Sequence, residues 1–385
     1  MKKYIYADNA ATTKMDQEAF EKMRIFYMED FSNPSQPYSF SKKSKAAIKE
    51  ARAIIANCIN ADPDEIYFTS GGTESDNWAI KGIGQTTEKK IIYISNIEHH
   101  AVINSCQSYQ NNNAIVNFLP VNKKGIVSSK TLENRLKNDD KTQLSKSGIK
   151  LVSIMYANNE IGSVQPIKEL SAVAHKYGAI FHTDAVQAVG HIPIDVKDCD
   201  VDLLSASAHK FNGPKGIGFL YIKRGINIQG IINGGSQESG MRAGTENVAS
   251  IIGMAYALKN NCENLEANRK HLIRLENRLL KALKKGGIDF IRNGYKDHIP
   301  GNISISIKNK EGEMLLHRLD LLGICVSTGS ACDSKNTQVS HVIKAIRVPD
   351  DYSKGTIRIS LGKNNTTDEI DSIAAGIIEI CTKRC

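Results

Sequence analysis

Two periodicities alternate along most of this chain. Short apolar runs, four to six residues long, are separated by stretches in which apolar residues return every three or four positions. The runs Tyr4–Ala7, Ile66–Thr69, Lys90–Ser95, Ala114–Leu119, Leu151–Tyr156, Ala179–Thr183 and Val201–Leu204 read as strands. Gln17–Met28, Lys42–Ile59, Lys130–Lys137 and Ile167–Tyr177 read as helices, and Gly178 is a C-cap for the last of them. Asn33-Pro34 and Pro37 make Asp30–Ser39 a loop, and Tyr221–Ile232 predicts a strand pair. Buried strands that alternate with helices predict an α/β fold, a mostly parallel sheet flanked by helices.

The pattern changes after the helices Asn247–Leu258 and Asn261–Lys285. Strands Asn302–Ile307, Ile324–Val326 and Thr356–Ser360 then mix with helices Glu311–Leu322, Ser340–Ile346 and Asp368–Cys381, an α+β order. The expectation is a large domain over 14–260. A smaller α+β domain would be built from 1–13 with 261–385.

Four strands of the first part end in residues able to do chemistry: His99, Asn159, Asp184 with Gln187, and Lys210. In open α/β sheets ligands bind beyond the carboxyl ends of the strands. Gly71-Gly72 before a helix leaves backbone N–H groups open to an anion, and Thr73 with Asp76 resembles a capping box. A lysine in a low-dielectric cleft loses its proton readily and forms Schiff bases. Alone, Lys210 reads as a solvated surface lysine. With a carboxylate, a stacking histidine and an anion cradle it meets the needs of pyridoxal phosphate. That cofactor takes a lysine Schiff base and an acidic partner for its ring nitrogen.

Composition narrows the picture. The 385 residues, 41% hydrophobic, are enough for a sizeable core. No apolar run approaches the ~18 residues that cross a bilayer, and the start lacks the apolar core of a secretory signal, so a cytoplasmic protein is expected. The net charge of +9 is spread over helix-like segments and reads as a solvated lysine-rich surface. With no zinc-finger spacing or RNA-binding signature, no direct nucleic-acid partner is expected. None of the eight cysteines forms a CxxC pair, so free thiols and no metal site are expected. Cys332 lies in a small, polar loop, Ser327–Lys335, and its surroundings leave reactive and structural readings open. Arg358 by itself reads as a surface strand arginine.

Ten collinear stretches then carry a resemblance. They are DNAATT (Asp8–Thr13), FTSGGTESDN (Phe68–Asn77), Glu98-His99, NNEIG (Asn158–Gly162) and HTDAVQ (His182–Gln187), followed by SASAHK (Ser205–Lys210), GPKGIG (Gly213–Gly218), GMRAGT (Gly240–Thr245), STGSAC (Ser327–Cys332) and IRISLG (Ile357–Gly362). The chain resembles the NifS/IscS type of cysteine desulfurase, in the class V aminotransferase family and the fold-type-I group of pyridoxal 5'-phosphate enzymes. The resemblance implies that Lys210 carries the cofactor, Asp184 holds its ring nitrogen, Gln187 its phenolic oxygen, and that His99 stacks on the ring and moves protons. It implies phosphate contacts from Gly72, Thr73, Ser207 and His209, with Thr245 reaching in from the other subunit of a homodimer. Asn159 would lie beside ring and substrate, and Arg358 would clamp the substrate carboxylate. Cys332 would take sulfur from L-cysteine as a persulfide, leave L-alanine, and pass the sulfur to an acceptor protein for iron–sulfur cluster, thio-cofactor or tRNA synthesis.

Three positions depart from that resemblance: Tyr38 and Gln237 stand where a histidine is common, and Ser239 where an arginine is found. The chain also ends at Cys385, before the tail with which housekeeping members dock an iron–sulfur scaffold, so the acceptor stays open. The alternatives are a selenocysteine lyase or another class V aminotransferase.

Overall fold

The computed structural model describes residues 4–83, 89–110, 114–139, 148–329 and 339–382. Its strands in chain order are β1 Ile5–Tyr6, β2 Ile66–Thr69, β3 Lys90–Ser95, β4 Ala114–Leu119, β5 Ile149–Ser153 and β6 Ile180–Asp184. They continue with β7 Leu203–Ser207, β8 Gly218–Ile222, β9 Phe290–Arg292, β10 Asn302–Ile307, β11 Ile324–Cys325 and β12 Thr356–Ser360. Seven of them form one sheet in the order β2-β8-β7-β6-β5-β3-β4. β7, β6, β5, β3 and β4 are parallel, and only β8 runs against its neighbours.

The alternation of side chains explains why this sheet is covered twice. Val152, Phe181, Leu204 and Phe219 point into one apolar layer, with the helices Lys42–Cys58, Ile167–Lys176 and Val248–Glu263. Their chain neighbours Leu151, Leu203 and Leu220 point the other way, against Trp78, Ile80 and Val102 from helices Gly72–Gly82 and His100–Gln110. Each fully buried Phe contributes roughly 1.5–3 kcal/mol from apolar burial, so the double cover stabilises the strands that carry the site.

A second sheet, β12-β10-β9, is antiparallel. Ile303, Ile305, Ile357 and Ile359 pack with Leu275, Leu279, Ile373 and Ile377 of helices Leu265–Lys285 and Thr367–Thr382. Because strand side chains alternate, Arg358 between Ile357 and Ile359 must face away from that apolar cluster. β1 and β11 form a small parallel pair. From there the N-terminal segment runs to the large sheet, bonding Ser360 N–H to Ala7 O at 2.8 Å and Thr13 N–H to His209 O at 2.9 Å.

Several expected elements differ. The segment predicted as a strand pair over Tyr221–Ile232 holds only the end of β8. Lys223-Arg224-Gly225 turns the chain, with Gly225 at φ +93°, and Ile228 makes a single bridge to Ile83. The two helices expected before Lys285 form, but the break between them falls at Asn264, a few residues later than expected, where a ψ of 11° leaves the helical range. No helix among the described residues is long and apolar enough to cross a membrane.

Candidate active site

The strand ends β3, β5, β6 and β7, the start of helix Gly72–Gly82 and the N-terminal segment surround a cavity of about 530 Å³. Gly72, Thr73, His99, Asn159, Asp184 and Gln187 line it, as do Ser207, His209, Lys210 and Arg358. These are the sequence candidates, except Thr245 and Cys332. Thr245 sits exposed on the loop after Gly244 and is not part of this lining. Cys332 lies outside the described residues.

Lys210 follows β7 in a single 3-10 turn, Ala208–Lys210. Its Nζ donates to Ala10 O at 2.7 Å and Ala11 O at 2.9 Å, so the N-terminal segment holds the amine inside the cavity. The Lys210 carbonyl also accepts from His191 Nε2 at 2.8 Å, a contact that sequence reading did not single out. Gln187 Nε2 donates to the same Ala10 O at 3.0 Å.

Asp184 ends β6 and is 5% exposed, with Oδ1 accepting the Val186 N–H at 2.9 Å. Burial raises its pKa, while His99 and Lys210 pull it down. Burial lowers His99, so its imidazole is favoured neutral. The Ala101 N–H donates to His99 Nδ1 at 3.1 Å, which puts the ring proton of the neutral form on Nε2. Behind Asp184 lies a buried polar chain. Ser153 Oγ meets His182 Nδ1 at 2.8 Å, and His182 Nε2 meets Ser205 Oγ at 3.0 Å. Burial drives His182 down to about 3, so it stays neutral.

The capping-box expectation for Thr73 and Asp76 is corrected. The helix begins at Gly72, and its N-cap is Gly71 at φ +147°, with no side-chain cap. A left-handed residue there turns β2 sharply into the helix, so Thr73 already sits in the first turn. Asp76 instead is 1% exposed, with Oδ1 3.7 Å from His182 Nε2 and no hydrogen-bond partner. Burial and the Asp184 charge push its carboxyl well up.

An uncapped helix start is a ready anion site. A Cβ at Gly72 would lie 2.6 Å from Val186 Cγ2, and one at Gly218 would lie 2.8 Å from Gly71 Cα, so glycine alone lets this turn close against β7 and β8. Ser207, 4% exposed, and His209, lowered to about 4 by burial and the nearby Lys210 and Lys215, complete that end. An open helix N-terminus at one end and a buried carboxylate at the other, with a lysine between, fit a phosphorylated pyridine aldehyde.

Arg358 lines the opposite wall. Its Nη2 donates to Asp8 Oδ1 at 2.7 Å and its Nη1 to Asn159 O at 3.1 Å. Nε is buried without a partner among the described residues. The backbone of Arg358 exchanges two hydrogen bonds with Ser327, so the chain leading toward Cys332 starts at this wall. Thr328 and Gly329 line the cavity, and a Cβ on Gly329 would lie 3.3 Å from Ser340 Cβ. Among the departures, Tyr38 is exposed, Gln237 Oε1 accepts from the Gly244 N–H at 3.1 Å, and Ser239 adopts φ +59°.

Residues 5–373 match the family model described as Aminotransferase class-V. Cysteine desulfurase IscS of Clostridium botulinum is 44% identical over 389 aligned residues, covering 100% of this chain and 96% of that protein. A solved NifS-like protein superposes with TM-score 0.90 at 36% identity, over 99% of this chain and 100% of that one. SspA, solved in complex with cysteine, superposes with TM-score 0.80 at 31% identity, over 94% and 99% of the two chains.

Proposed function

The chain belongs to the class-V aminotransferase family, and on that premise we propose that it is a pyridoxal 5'-phosphate-dependent cysteine desulfurase. Its reaction is L-cysteine plus the Cys332 thiol giving L-alanine plus a Cys332 persulfide, whose outer sulfur goes on to an acceptor protein. The observation that carries this reading is the meeting of Lys210, Asp184, the open N-terminus of helix Gly72–Gly82 and Arg358 around one cavity.

Lys210 is the residue that would bind the cofactor's aldehyde, and Asp184 the one that would hold its ring nitrogen protonated. Gln187 would contact the phenolic oxygen, and His99 would cover the ring face. Gly72, Thr73, Ser207 and His209 would take the phosphate, joined by Thr245 of the partner subunit in a homodimer; the exposed setting of Thr245 away from its own cavity supports that assignment. When bound, the cofactor supplies an electron sink that makes the substrate's Cα proton removable and loosens its Cβ–S bond.

This chain's residues do the rest. Arg358 receives the substrate carboxylate with N–H groups not used by Asp8 and Asn159, and Asn159 steadies the substrate beside it. Lys210, whose amine the Ala10 and Ala11 carbonyls hold in the cavity, would remove the Cα proton. His99, neutral with its proton on Nε2, is a proton donor at the ring's side of the cavity. The Cys332 thiolate attacks the substrate sulfur, an S–S bond forms as Cβ–S breaks, and Cβ takes a proton to become the methyl of alanine. The acceptor is proposed to be an iron–sulfur scaffold or a tRNA-thiolating enzyme. The division into domains at 14–260 and 1–13 with 261–385 belongs to the same proposal.

Purified protein given L-cysteine and a reductant is expected to release alanine and sulfide in equal amounts. A Cys332→Ala variant is expected to lose sulfide release. Full release by that variant, or no alanine from the parent, overturns the reading.

A further inference from the structure

Arg358 is not alone in its wall. Its side chain is 7% exposed, and Asp8, 19% exposed, stands against it with Oδ1 2.7 Å from Nη2. The pairing is built into the sheet. Asp8 bridges Ser360, two residues beyond Arg358 on β12, and the backbone around it is fixed by Asn9 N–H to Ser360 O at 3.0 Å and Ala10 N–H to Ser360 Oγ at 2.9 Å. Tyr6 Oη adds a bond to Asp8 O at 3.0 Å. Arg358 lines the cavity and Asp8 does not, so the carboxylate stands behind the guanidinium as seen from the substrate.

Two of the five guanidinium N–H groups are taken, one by Asp8 and one by Asn159 O. Among the described residues the buried Nε–H has no partner. A buried, unpaired N–H on a charged group is costly unless something arrives to accept from it. The group that fits is a carboxylate, and its attraction to this arginine is set by how far Asp8 has already cancelled the charge.

We propose that Asp8 is a specificity-determining positioning residue: it holds Arg358 in place and neutralises it, so that the wall retains ligands bearing an ammonium or imine partner beside their carboxylate and rejects simple anions. This rests on the reading of Arg358 as the carboxylate site. A zwitterionic α-amino acid brings its own positive group and adds no net charge to the Asp8–Arg358 pair. A lone carboxylate adds an uncompensated negative charge a few ångströms from Asp8. Like charges at that separation in a partly buried site change affinity by about tenfold or more. Asp8 thereby disfavours carboxylates without a positive group of their own at the wall.

The test uses the holoenzyme, with propionate and its neutral isostere propionamide as competitors of L-cysteine. In the unmodified protein propionate is expected to compete no more than about threefold better than propionamide. Asp8→Asn keeps an acceptor for Nη2 but removes the charge, and is expected to raise that preference about tenfold without raising KM for L-cysteine. Asp8→Ala removes the holder as well and is expected to raise KM. A purely structural role for Asp8 moves KM and stability but not the charge preference. An unchanged preference in Asp8→Asn overturns the proposal, as does a preference of thirtyfold or more in the unmodified protein. That second readout decides the matter if the variants fail to fold. Arg358→Gln separates the two levels. If it leaves propionate inhibition and KM unchanged, the carboxylate reading of Arg358 fails and the proposal with it. If it abolishes propionate inhibition while Asp8→Asn behaves as the parent, only the proposal for Asp8 falls.

Discussion

Replacing Glu98 with glutamine should make the protein's stability less sensitive to alkali. Glu98 lies three residues beyond β3, fully buried, with the Asp184 charge adding to the effect of burial. Its Oε1 accepts from Ser95 Oγ at 2.5 Å and from the Met155 N–H at 2.9 Å. Those bonds favour the anion, but burial outweighs them and pushes the carboxyl up to about 8, against 4.5 for the free side chain. A raised acid is protonated in the folded state where the unfolded chain has already ionised. Its contribution is therefore complete below pH 4.5 and is lost as pH rises through 8. The gap of 8 − 4.5, at ~1.4 kcal/mol per unit, amounts to about 5 kcal/mol across that window. Between pH 6 and pH 8 the parent should lose about 2 kcal/mol from this group. Glu98→Gln is close in shape, keeps an oxygen for Ser95 and Met155, and does not titrate. Urea unfolding of both proteins at matched cofactor saturation reads the difference. The variant should gain about 2.5 kcal/mol on the parent between pH 6 and pH 8.5, whatever its offset at pH 6. Parallel stability profiles would refute the reasoning and place an ionised Glu98 in the folded core.

Lys210→Ala should remove the visible absorption of lysine-bound cofactor and lower alanine formation by about a thousandfold or more, checked by spectrum and by amino-acid analysis. Gly218→Ala would drive its Cβ into Ala206 O and to 2.8 Å from Gly71 Cα, both backbone atoms. It should cost about 3 kcal/mol and weaken phosphate binding at the Gly71 turn, seen as a lower melting temperature and a weaker cofactor titration. Asn158→Ala strips partners from Ile97 O and from the Glu160 and Ile161 N–H groups, all buried. It should lower stability by about 3 kcal/mol, measurable by urea unfolding, and raise KM for L-cysteine by displacing Asn159.

The strands of the large sheet were legible because both of their faces are buried. An apolar run such as Leu203-Leu204 has nowhere else to go once Leu203 and Leu204 enter opposite layers. The strand ends followed from the same logic, and His99, Asp184 and Lys210 do line one cavity. What pairs across the chain was hidden. Asp8 and Arg358 are 350 positions apart, and the bridge from Asp8 to Ser360, with the neighbouring bonds of Ala7, Asn9 and Ala10 to Ser360, brings them together. Asp76 looked like a cap because helix starts are read from side chains. Here Gly71's backbone sets the start and leaves Asp76 to the buried network with His182 and Ser205. β9 escaped because Phe290–Arg292 is too short to show a period, and its place is set by pairing with β10.

The central claim is that sulfur leaves L-cysteine onto Cys332. Its most direct test is to treat the holoenzyme with one equivalent of L-cysteine, trap thiols by alkylation and map the cysteine peptides by mass. One extra sulfur atom on the Cys332 peptide, matched by one alanine released, is the predicted result. Alanine formed with the extra sulfur absent, or carried by other cysteines in its place, would contradict it.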